Sequence, residues 1–167
     1  FAQFARLGTS RKAVLRISAT TSLHGLDVKI ENGKELSPTE IAQFAQIASA
    51  YKILRLMWND DVIAQSDPPS QAMGAAQVVP PSGAFLQATD AGEAALVSTV
   101  LEIVGNAKRV TDLFAGCGTF ALPIASQAAV HAVEGERPMM DALNAGWRNA
   151  GGLHDVRVET RDLFRRP

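Results

Sequence analysis

One cysteine, Cys117, is all that this 167-residue chain contains. That excludes an intrachain disulfide and suits a reducing cytoplasm. Charge of one sign is equally scarce: 16 Lys and Arg against 17 Asp and Glu leave a net charge of −1. No broad basic field is available to hold phosphates, so strong RNA binding by this chain alone is not expected. Long apolar runs are missing too, and none approaches the roughly 20 residues of a membrane span, so no membrane partner is expected. What is present is a 47% hydrophobic composition. It suffices for one ordinary domain, or for a small domain and part of another. The chain opens on Phe1 and stops at Arg165-Arg166-Pro167 just past a predicted strand, which gives the expectation of a piece of a longer protein.

Residues 1–70 read as a small α+β domain. Val14 to Ser18 and Leu26 to Ile30 alternate apolar and polar residues, as two half-buried strands joined through Thr20, Thr21 and Ser22. Ser37-Pro38-Thr39-Glu40 supplies an N-cap, a proline at the first helical position and a capping-box glutamate. Ile41, Phe44, Ala45, Ile47 and Ala48 follow at helical spacing, so one face packs on the strands. Ile53 to Trp58 and Val62 to Gln65 form a second predicted hairpin turned at Asn59-Asp60-Asp61. His24, Tyr51 and Trp58 fit core or rim positions better than RNA contacts. Residues 71–88, with Pro80 and Pro81 among small side chains, read as a linker with edge segments, Ala76 to Val79 being one short strand.

Residues 89–167 carry the chemistry. Thr89 or Asp90 caps a helix reaching Val104, with Glu93 placed for a capping box and Gly105 as its stop. Val110 to Phe114 is a buried strand that opens into Ala115-Gly116-Cys117-Gly118. Gly116 and Gly118 allow a sharp turn and a close backbone approach to a ligand. Thr119 to Ser126 reads as a helix, with Pro123 making its first turn irregular. Ala129 to Val133 is the next strand, ending on Glu134, a carboxylate suited to the two hydroxyls of a ribose. Another helix lies between Pro138 and Gly151-Gly152, with Ala142, Leu143, Gly146 and Ala150 against the sheet. The strand Asp155 to Thr160 then leads to Asp162. Gly116-x-Gly118-x-x-Ala121 with an acid about twenty residues on also satisfies the dinucleotide fingerprint, so an NAD-binding oxidoreductase stays open as an alternative.

Asp112-Leu113-Phe114-Ala115-Gly116-Cys117-Gly118 has the acidic glycine-loop shape of class I S-adenosylmethionine methyltransferases, with Phe114 replacing the first glycine. Continued through Phe120, Leu122 and Pro123, it resembles the RNA uracil-5 methyltransferase family, which methylates uridine C5 in ribosomal and transfer RNA. The resemblance implies an α/β chain: a small α+β domain followed by the N-terminal half of a Rossmann-like class I methyltransferase domain. It implies S-adenosylmethionine as cofactor and structured RNA as partner. It places Gln87 beside the methyl donor, Phe85 against the target uracil, Phe114 along the adenosine, Thr119 at the methionine or ribose end, and Asp162 at the adenine amino group.

Addition of a thiolate to uracil C6, methyl transfer and removal of the C5 proton need a nucleophile and a base. Cys117 lies inside the glycine loop with no activating partner nearby in sequence and reads as structural. In the family those catalytic residues come from later segments, so no catalytic residue is assigned in this chain. By the same resemblance strand one would be left as an unpaired apolar edge, open to self-association. A non-enzymatic RNA-binding module is the remaining alternative.

Overall fold

The computed structural model describes residues 14–87 and 89–165. The chain divides into two compact units, one ending at Ser70 and the other beginning at Gln71.

In the first unit, β1 (Arg16–Thr21), β2 (Leu26–Glu31), β3 (Ile53–Trp58) and β4 (Asp61–Gln65) form one sheet in that order. β1 with β2 and β3 with β4 are antiparallel, whereas β2 and β3 run parallel. A parallel pair needs a crossover, and helix α1 (Pro38–Ala50) provides it. Its capping box forms as expected: Ser37 Oγ accepts from Glu40 N at 3.3 Å, and Glu40 Oε2 accepts from Ser37 N at 2.8 Å. The hydrogen bond from Lys34, helped by those from Ser37, holds the Glu40 carboxyl down at about 2. Phe44 and Ala48 on α1 meet Val28, Ile30, Leu56 and Trp58 on the sheet. The Phe44 and Trp58 rings lie 5.0 Å apart. Each fully buried large side chain of this kind contributes about 1.5–3 kcal/mol.

Two details differ from the sequence reading. β1 continues through Thr20 and Thr21, which were assigned to the turn, because β-branched threonine suits a pleated strand. The reversal falls instead at Ser22 to Gly25, where Ser22 N donates to Gly25 O at 2.8 Å. A cross-strand ion pair was also not foreseen: Arg55 Nε and Nη2 donate to Asp27 Oδ1 and Oδ2 at 2.9 and 2.6 Å.

The second unit opens with a hairpin, β5 (Gln71–Met73) and β6 (Ala76–Val78): β6 is the short strand expected from Ala76, and β5 pairs with it where only linker was expected. Met73, Ala76 and Val78 are buried in the core of this unit. Helix α2 (Asp90–Val104) follows, then β7 (Arg109–Leu113), α3 (Ala121–Ile124), β8 (Ala129–Glu134), α4 (Arg137–Asn149) and β9 (Val156–Thr160). β7, β8 and β9 form a parallel sheet in that order. Successive parallel strands joined through helices are the repeat of a doubly wound α/β fold.

Local corrections follow from particular residues. Thr89 Oγ1 accepts from Gly92 N at 3.1 Å, which makes Gly92 the third helical residue of α2. Glu93 is one position too far along to close a capping box. Gly146 on α4 faces β6 rather than the parallel sheet: a Cβ there would lie 2.6 Å from Val78 Cγ2. The predicted helix from Thr119 to Ser126 contracts to the four residues of α3, capped by Phe120 without a side-chain hydrogen bond. No helix among the described residues is long and apolar enough to cross a membrane.

Candidate cofactor-binding site

Because β7, β8 and β9 are parallel, their carboxyl ends lie together, and such ends are where open α/β sheets bind ligands. β7 leads into Phe114, whose φ of +60° is left-handed. That conformation is disfavoured for a bulky side chain, and it aims a ring that is 57% exposed out of the strand end. The loop then turns through Gly116 at φ +56° and Gly118 at φ +105°. Ala115 N donates to Val133 O at 3.1 Å, and Leu122 N to Gly118 O at 3.0 Å, which ties the loop to β8 on one side and α3 on the other.

Glu134, at the end of β8, fastens this loop. Its Oε2 accepts from Gly116 N at 3.1 Å, while Oε1 accepts from Gly135 N at 2.6 Å and Glu136 N at 3.1 Å. A carboxylate offers about four lone-pair positions, so three are in use. A Cβ placed on Gly116 would find no atom within 4 Å, so the loop backbone there faces open space. At Gly118 the same addition would meet Leu122 Cδ1 at 2.8 Å and Leu143 Cγ at 3.0 Å. The first glycine thus leaves room for a ligand, and the second leaves room for the core.

Asp112, on β7, is the functional candidate that the sequence reading quoted within the motif without placing it in the site. Its Oδ2 is buried with no hydrogen-bond partner. Burial is the main cause that pushes its carboxyl up to about 6, with the nearby Glu134 charge adding to the effect and a hydrogen bond from the Ala121 backbone opposing it. Strongly perturbed carboxyls of this kind gather at functional sites. The available signal was an acid two positions after Val110, on the same inward face of the strand. Burial likewise pushes the Cys117 thiol up to about 11, so it stays protonated at neutral pH and is a poor nucleophile.

No family model matches the chain. An uncharacterized RNA methyltransferase of Mesorhizobium japonicum is 41% identical over 152 residues, which make up 91% of this chain and 37% of that protein. The 23S rRNA (uracil(1939)-C(5))-methyltransferase of Pseudomonas putida is 49% identical over 57 residues, 34% of this chain and 12% of that one. By sequence, the chain is similar to parts of bacterial RNA methyltransferases. The chain spans under half the length of the curated proteins it matches. Its fold is that of the Pyrococcus abyssi tRNA (uracil-54, C5)-methyltransferase solved with S-adenosyl-L-homocysteine, at a TM-score of 0.70 and 14% identity over 97% of this chain and 44% of that one. The architecture is therefore the Rossmann-like methyltransferase fold.

The glycine loop brings Phe114, Gly116, Gly118 and Glu134 together. Asp162 joins them from the end of β9: Arg161 N donates to Glu134 O at 2.9 Å, and a Cβ on Gly135 would lie 4.0 Å from the Asp162 Cα. Asp162 Oδ1 itself accepts from Phe164 N at 3.0 Å and Arg165 N at 3.3 Å, so it caps a turn. Thr119 is half-buried in the turn before α3 and is not that helix's cap. Gln87 is half-buried ahead of α2 and is not among the hydrogen-bond partners of the loop. Phe85 is 78% exposed.

Proposed function

We propose that this chain is the cofactor-holding part of an S-adenosylmethionine-dependent RNA methyltransferase, a cytoplasmic enzyme that acts on uridine C5 in structured RNA, ribosomal RNA first. The observation that carries the cofactor reading is the Glu134 carboxylate at the end of β8, 3.1 Å from the Gly116 amide at the end of β7. An acid joined to an open glycine turn fits an adenosyl group: the backbone approaches closely, and the carboxylate accepts ribose hydroxyls. The uridine reading draws on the names of the Pseudomonas and Pyrococcus proteins.

When bound, the cofactor supplies an electrophilic sulfonium methyl. The residues of this chain hold and orient it. Gly116 would leave room for the ribose and Glu134 would accept its hydroxyls, exchanging part of its hold on the loop amides for them. Asp162 would meet the adenine amino group, Phe114 would cover the adenosine, and Thr119 and Gln87 would border the methionine end. With its thiol held protonated, Cys117 packs the loop while nucleophile and base come from elsewhere in the whole protein.

Calorimetric titration of the chain with S-adenosylhomocysteine, beside NAD, tests this reading. The thioether should bind, and Glu134→Ala should weaken it by about 10- to 100-fold, as loss of hydrogen bonds to a charged acceptor requires. NAD binding in its place would transfer the chain to the nicotinamide oxidoreductases, and binding of neither would end the cofactor claim. Detection of 5-methyluridine in ribosomal RNA treated with the longer protein tests the substrate.

A further inference from the structure

The ends of β7 and β9 each carry an exposed phenylalanine, and the two meet. Phe114 follows β7 and Phe164 follows β9, their ring centroids 5.4 Å apart and their planes inclined at 52°. Phe164 is 89% exposed, an unusual condition for a large apolar ring that has a partner. Phe114 leaves β7 at the left-handed backbone that opens the glycine loop. Phe164 is placed by the Asp162 turn, through the bond from its own amide to Asp162 Oδ1. The two rings thus stand beside the strand ends that carry Glu134 and Asp162.

The geometry points to Phe164 as the second wall of a purine pocket, with Phe114 as the first, and to the observed ring contact as the closed form of that pocket. The inference rests on the proposed adenosyl ligand and adds to it the residue that grips the base. A planar base held between two rings needs a layer of about 3.5–4.0 Å on each of its faces, so the walls must stand roughly 7 Å apart. At 5.4 Å and 52°, the present pair leaves no such layer. One ring has to move to admit a base. Both rings can turn about their own side-chain bonds on the nanosecond scale of exposed residues, and Phe164, 89% exposed against 57% for Phe114, has fewer contacts to give up in swinging aside. Base-to-aromatic stacking then replaces the ring-to-ring contact that is broken.

The test is titration of the chain with S-adenosylhomocysteine as wild type, Phe164→Ala, Phe164→Leu and Phe164→Trp. The ring is nearly fully exposed, so all three variants should keep the thermal midpoint of the wild type. Loss of a stacking partner should weaken binding about 10-fold in Phe164→Ala. Phe164→Leu should be weakened as well, because it keeps apolar bulk without a π-face. Phe164→Trp should retain binding, with indole fluorescence quenched by the ligand, whereas the emission of the native Trp58 and Trp147 should not respond. If the wild type binds and Phe164→Ala binds equally well, the wall is refuted while the cofactor reading stands. Tighter binding by Phe164→Ala would make Phe164 only an obstruction. Failure of the wild type to bind would remove the cofactor reading and this inference together.

Discussion

Gly116 and Gly118 stand two positions apart with left-handed backbones, yet a methyl group added to each meets different surroundings. At Gly116 it would enter open space at a φ of +56°, where an L-residue is strained by only about 1–2 kcal/mol. At Gly118 it would press on Leu122 and Leu143 at a φ of +105°, and overpacking of this sort costs about 2–3 kcal/mol. Gly116→Ala should therefore lose about 1–2 kcal/mol in urea denaturation and lose S-adenosylhomocysteine binding, while Gly118→Ala, both strained and overpacked, should lose more stability. Unchanged binding in Gly116→Ala would show that the ligand does not approach there. Asp112 gives a second prediction. Its folded carboxyl titrates at about 6 against an ordinary 3.8, so the folded state holds its proton more tightly than the unfolded chain. Stability from this group is then highest below the unfolded value, falls as pH rises through the window from 3.8 to about 6, and stays reduced above it. The penalty at neutral pH is on the order of 2–3 kcal/mol. Asp112→Asn keeps an acceptor for the Ala121 amide and removes the charge, so at pH 7.5 its urea midpoint should exceed that of the wild type. The gap should narrow at pH 4.5. A constant gap at both values would assign the effect to packing rather than to titration.

Among the elements, those governed by local chemistry were legible in the sequence. The α1 capping box, the Pro38 start and the Gly105 stop act within a few residues of themselves, and each lies where its pattern puts it. The glycine loop between β7 and α3 was legible for the same reason: left-handed turns leave glycines behind. What could not be read depended on partners distant in sequence. β6 was legible as the short strand from Ala76, but its partner β5 was not, because a three-residue strand is too short for periodicity to register. They are strands because Met73, Ala76 and Val78 pack into the core of their unit and Gly146 on α4 is bare enough for Val78 to approach. The pairing of Asp27 with Arg55 depends on a parallel register across a helical crossover, which neither residue announces. In the site, Glu134 was legible as the acid closing a strand, but its grip on the Gly116 amide was not. The partly buried acid of Asp112 and the exposed ring of Phe164 both needed the folded strand ends to stand out.

At the scale of the molecule, the parallel sheet sets the behaviour in solution. β7 pairs with β8 and, among the described residues, with no strand on its other side. Its outward row of amides and carbonyls is available to another chain. The edge is less apolar than the sequence reading held, because Arg109 and Thr111 are exposed along it and Lys108 stands at its entry, where charge opposes pairing. Leu113 at 52% and Phe114 at 57% exposure make its other end adhesive. On α2, Leu96 and Ile103 are also exposed, at 46% and 79%. Such a surface should associate weakly rather than form one fixed dimer, since a strand edge that is charged at one end offers little buried area for pairing. Sedimentation velocity over a wide concentration range should show the weight-average coefficient rising with concentration, and Leu113→Lys should move that rise to higher concentration. A single monomer boundary that does not change with concentration would show that the charges at Lys108 and Arg109 already suffice to keep β7 unpaired.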